Sequence, residues 1–162
     1  MVARFIELKA FVKFLEDTLG FAFDVDRFDH RIMLQKYVFI AKSLGWDNDY
    51  PYNIYLRGPY SPDLAQDYYN LATIPVPSEM FERCLVNLEK ERFVQIIQNR
   101  DIEWLEIGTT ILSLYNSNKD RIEKDEIAPF LLERTKDIKS DFDGSYIEDV
   151  FGSLLESKLI PK

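Results

Sequence analysis

The chain is short of the residues that most chemistry needs. It has one cysteine and one histidine among 162 residues. No internal disulfide can form, and a single free thiol suits a reducing, cytoplasmic compartment. Cys84 and His30 stand far apart in sequence, so no zinc site can be assembled from them. A hydrolytic triad would have to use His30, which sits beside Asp29 at a helix start and reads as an ordinary surface or capping residue. Cys84 falls on an apolar row with Phe81 and Leu88, the setting of an inert buried thiol. Glycine is scarce, six in all, and neither a phosphate-binding loop nor a dinucleotide fingerprint occurs. No apolar run is long enough to span a membrane, and no signal-peptide core is present. Positive charge is in deficit too. The net charge of −8 opposes general nucleic-acid binding, which needs cations to neutralise phosphates.

What is present is a core-forming composition. The hydrophobic fraction is 46%, and the 12 Phe and 9 Tyr bring aromatics to 14% with the two Trp. That content excludes general disorder, and the length suits one domain spanning 1–162. Phe5, Leu8, Val12, Leu15 and Leu19 share one helical face, with Gly20 as a stop. From Asp29, an N-cap candidate, to Gly45 the apolar residues surround most of a second helix, which is expected to be the most buried element. Tyr52, Ile54 and Leu56 alternate as in a short strand, and Val94–Ile97 is open between a partner strand and an extension of the preceding helix. Ser78 can cap a helix carrying Phe81, Leu85 and Leu88. Trp104, Ile107, Ile111 and Leu114 mark another. The charge-mixed run 119–136 reads as a solvated helix with a bend or break near Pro129. Ser145 and Glu148 stand at capping-box spacing before a last helix. The fold class expected is mainly α, with six to eight helices and one short strand or β-hairpin near 52–57. A winged-helix arrangement is one version of it.

The densest stretch is Tyr55–Leu71, YLRGPYSPDLAQDYYNL. Gly58 permits a positive φ, and Pro59 keeps Gly58 out of the α region. Ser61 is a good N-cap, Pro62 occupies the favoured first helical position, and Asp63 suits the positive end of the helix dipole. These residues form a complete turn into a helix without a ligand. Tyr55, Arg57 and Tyr60 are not needed for it and are the candidate interaction residues. The rival reading holds Arg57 internally against Asp63 or Asp67.

Together, RIMLQKYVFIAKSLGW and YLRGPYSPDLAQDYYNL resemble the YwgA-like family of bacterial and archaeal proteins and, more loosely, the Panacea (SocA-type) antitoxin domain. The resemblance rests on Leu34, Gln35, Lys36 and Tyr37, then on Tyr55, Gly58, Pro59, Tyr60 and Ser61, and extends over about 29–160. Arg57 departs from it, standing where the pattern has an aromatic. The resemblance implies a helical, non-catalytic module of antitoxin, regulatory or defence type, with a protein partner and no cofactor. It gives Gln35, Lys36, Gly58, Pro59, Ser61 and Pro62 a structural part. The alternatives are a winged-helix DNA-binding regulator and a metal-dependent nuclease using acidic pairs such as Glu103 with Glu106 or Asp120 with Glu123.

Overall fold

A computed structural model of the chain describes residues 3–162. The protein is mainly helical, with one two-stranded antiparallel hairpin. Its helices are α1 (Arg4–Leu19), α2 (Phe28–Ser43), α3 (Pro62–Tyr69), α4 (Lys90–Ile97), α5 (Ile102–Asn118), α6 (Lys124–Ile138) and α7 (Gly144–Glu156), with a 3-10 helix at Ser78–Arg83. The hairpin strands are β1 (Asn53–Tyr55) and β2 (Gly58–Tyr60). Contacts fall into two compact units. The first holds the chain up to Asn53 and Tyr60–Asn99, and the second holds Ile54–Pro59 and Arg100–Lys162. No described helix is long and apolar enough to cross a membrane.

In the first unit, α1 buries Leu8, Phe11 and Leu15 completely. Phe11 stacks on Trp46 at 4.5 Å between centroids and meets Phe93 edge-on at 5.6 Å. Full burial of such side chains is worth about 1.5–3 kcal/mol each. Gly20 ends α1 with φ 69°, and its N–H bonds the Glu16 carbonyl. α2 starts before the expected cap. Arg27 is its N-cap residue, and Asp29 lies inside the first turn, where its carboxylate meets Arg27 at 2.8 Å. His30 Nδ1 accepts the Asp24 N–H at 3.0 Å, a local structural bond.

The segment after α3 departs most from expectation. No long helix runs from Ser78. The 3-10 helix stops at Arg83, and Leu85 takes a left-handed φ of 58°. Its N–H is bonded by Glu7 Oε2 at 2.9 Å, a partner distant in sequence that stabilises the break. Val94–Ile97 belongs to α4 rather than a strand, because Phe93, Ile96 and Ile97 recur at helical spacing and are all buried. β1 therefore pairs with β2.

In the second unit, α5 carries an unbroken buried run from Trp104 to Leu112, longer than the run Leu34–Ala41 of α2. α5, not α2, is the more buried helix. Thr109 and Thr110 make this feasible, since their hydroxyls donate to the Leu105 and Glu106 carbonyls at 2.6 and 2.7 Å and present only methyl groups outward. α6 runs through Pro129 without a break. That proline lies in the second turn on the exposed side, so it removes one backbone bond and clashes with nothing buried. At α7 the cap is Asp143, whose carboxylate accepts the Ser145 N–H at 2.9 Å. The Ser145–Glu148 box does not form, because Asp143 is the N-cap and Ser145 already lies inside the helix; Glu148 pairs with Lys136 at 3.0 Å. Ile147, Val150, Phe151 and Leu154 bury the inner face of α7.

Candidate interaction site at the hairpin turn

The hairpin reverses at Leu56–Arg57. Neither residue has a positive φ, whereas Gly58 has φ 95°. The positive φ thus falls on the glycine that follows the two turn residues, where it costs no Cβ strain. Gly58 and Pro59 are buried, and the turn before them is not. Leu56 is 92% exposed, Tyr55 48% and Ile54 41%. Three consecutive large apolar or aromatic side chains thus stand in water and end at Arg57, whose side chain is 55% exposed.

The turn is held from beneath within the second unit. Lys139, at the C-terminal end of α6, is buried, and its Nζ donates to the Leu56 carbonyl at 2.9 Å and to Glu106 Oε2 at 3.0 Å. Glu106 Oε1 lies 3.8 Å from Arg57 Nη1. One buried carboxylate therefore holds both the lysine that clamps the turn and the arginine that the turn displays. A cleft of about 710 Å³ opens beside this group. Glu103, Asp141 and Asp143 add carboxylates to its wall, so four acids face two cations. Tyr146 closes one side, and burial, reinforced by Asp101 and Glu103, raises its phenol above the ordinary value. Asp143 is held below the carboxylate range by the hydrogen bonds from Ser145.

The motif residues of the first unit serve the start of α3. The Gln35 side chain brackets Ser61, accepting its N–H and donating to its carbonyl, both at 2.9 Å. Ser61 is fully buried, its Oγ caps α3 by accepting the Leu64 N–H at 3.3 Å, and Pro62 is the first helical residue. Lys36 is 2% exposed. Tyr60 is half-buried and hydrogen-bonds Tyr68, whose phenol is raised by burial first and by Tyr60 next. Asp67 accepts from Tyr50 at 2.7 Å and from Arg4 at 3.2 Å, and Asp63 lies 3.6 Å from Arg4. Arg57 thus pairs with Glu106, while Asp63 and Asp67, the partners of the rival reading, pair with Arg4.

Of the three candidate interaction residues, Tyr55 and Arg57 belong to the second unit and Tyr60 to the first. Ile54 and Leu56 are both exposed, and alternation alone assigns strand residues no solvent face. Lys139 left no signal there, lying among solvated charges where a loop was expected. Glu106 was one of an acidic pair, and its burial separates it from Glu103. Asp120 and Glu123 lie beyond the end of α5 rather than on a helix. Among the described residues, no three His, Cys, Asp or Glu side chains gather to hold a metal ion. Cys84 is buried, its Sγ donates to the Met80 carbonyl at 3.4 Å, and burial raises its thiol.

No family model, curated protein or solved structure matches this chain.

Proposed function

We propose that the protein is a non-catalytic protein-binding module that presents the turn Ile54–Arg57 to its partner. The observation that carries this reading is the exposed run ending in arginine on a buried clamp. Leucine at 92% exposure on a rigid two-residue turn costs solubility, and a partner pocket that covered it would recover about 2 kcal/mol. Tyrosine and arginine beside it are the residue types that most often dominate interface energetics. The clamp from Lys139 pre-organises the turn, which lowers the ordering entropy lost on binding. The resemblance to YwgA-like and Panacea-type sequences adds the narrower reading, an antitoxin or defence regulator acting in the cytoplasm.

The experiment is co-purification from the source cells, with stoichiometry read by mass spectrometry and repeated with Leu56→Ser. A partner recovered one-to-one with the wild type and lost with Leu56→Ser, at unchanged melting temperature, supports the reading. Repeated recovery of the protein alone contradicts it.

A further inference from the structure

The second unit contains another cavity, unrelated to the hairpin, at the meeting of α5, α6, α7 and the chain's last residues. It encloses about 580 Å³, within the range of small-molecule sites. Leu131, Phe151 and Ile160 are buried in its floor, and Ile122, Ile127 and Leu155 form half-buried walls. The polar side chains lining it are Tyr115, Lys119, Lys124 and Lys162. No acidic side chain lines it. In a chain of net charge −8, three lysine side chains around an apolar groove with no acidic side chain is a local reversal of sign. None of the three lysines forms an ion pair among the described residues. Lys119 instead extends over the Tyr115 ring, its Nζ 5.9 Å from the centroid.

An apolar groove rimmed by ammonium groups has the chemistry of a site for a molecule with an apolar tail and an anionic head. The lysine stems extend the apolar wall while their heads stay at the water boundary. The volume accommodates one unbranched chain and is too small for a two-chain lipid. We infer that this groove binds a single-chain anionic amphiphile, with its hydrocarbon against Leu131, Phe151 and Ile160 and its carboxylate at Lys119 and Lys124.

The test is calorimetric titration of the full chain with octanoate, decanoate and dodecanoate below their micelle concentrations. Decanol and decyltrimethylammonium serve as neutral and cationic controls. The expected result is saturable one-to-one binding that tightens about fourfold per methylene. Decanol should bind about tenfold or more weakly than decanoate, because it lacks the charge-assisted bonds. The double variant Lys119→Gln/Lys124→Gln, altered only at exposed positions, should keep its melting temperature and lose the preference for decanoate over decanol. Ala128→Phe, which fills the groove from α6, should abolish binding of both. Equal binding of decanol or of decyltrimethylammonium overturns the assignment, as does binding without saturation. Binding of a synthetic acidic amphipathic helix, with no binding of decanoate, assigns the groove to a protein partner and also overturns it.

Discussion

Replacing Lys139 with methionine removes the charge that holds the hairpin turn and keeps the volume of the side chain. Its ammonium is 3.0 Å from Glu106, and the two side chains are 5% and 11% exposed, so little water is available to replace either. Removing one member of a buried pair costs about 3–5 kcal/mol, because the other charge is stranded. Arg57, at 3.8 Å, still faces Glu106, which places the expected loss at the low end of that range. The Leu56 carbonyl also loses its donor, adding about 1 kcal/mol. The expected total is about 4 kcal/mol, which lowers Tm by roughly 10 °C for a chain of this size. Urea unfolding at constant m-value measures it directly. The double variant Lys139→Met/Glu106→Leu should recover most of that loss, since an apolar replacement of both partners is close to neutral. A loss below about 1 kcal/mol for Lys139→Met, or a double variant less stable than the single one, refutes the clamp.

Four further outcomes follow from the turn, the start of α3 and the tyrosine core. Gly58→Val should lose about 1–3 kcal/mol in urea unfolding, because a β-branched residue is strained at φ 95°. Ser61→Ala should cost about 1 kcal/mol through the lost cap on the Leu64 N–H. Gln35→Ala should cost more, about 1–3 kcal/mol, because it strands the buried N–H of Ser61, while the Ser61 carbonyl keeps the Ala65 N–H. Burial pushes the Tyr37 phenol up to about 12. The unfolded chain ionises at the ordinary value near pH 10, so it releases the proton first as pH rises, and the stability present below pH 10 is lost toward pH 12. A pH series of melting curves should be shallower over that window for Tyr37→Phe.

The elements legible in the sequence are those whose determinants are local. Leu8 and Leu15 mark a helical face, although Phe11 rather than Val12 fills the core between them; Ser61-Pro62 marks a helix start, and Gly58 before Pro59 permits the positive φ observed. The segment 78–89 was misread because Phe81, Leu85 and Leu88 also stand at helical spacing. The backbone breaks there through the bond from Leu85 to Glu7, a partner that no local pattern identifies. Asp143 and Ser145 are equally good caps by residue type, and in the structure the Asp143 carboxylate takes both the N–H and the hydroxyl of Ser145, which places Ser145 inside the helix. The candidate site divides in the same way. Arg57 was visible as a residue the turn did not need, while Glu106 and Lys139 come together only through the packing of α5 with the end of α6.

The central claim is that the hairpin turn binds rather than braces, and Arg57→Ala tests it most directly. The variant is melted beside the wild type and then assayed against the co-purified partner under the same salt. Arg57 is half-exposed and 3.8 Å from Glu106, so its loss should cost less than about 1 kcal/mol of stability. A binding arginine contributes about 2 kcal/mol or more to a complex. The account predicts an almost unchanged Tm and at least about thirtyfold weaker binding. A Tm several degrees lower with normal binding would make Arg57 an internal brace for Glu106 and contradict the account.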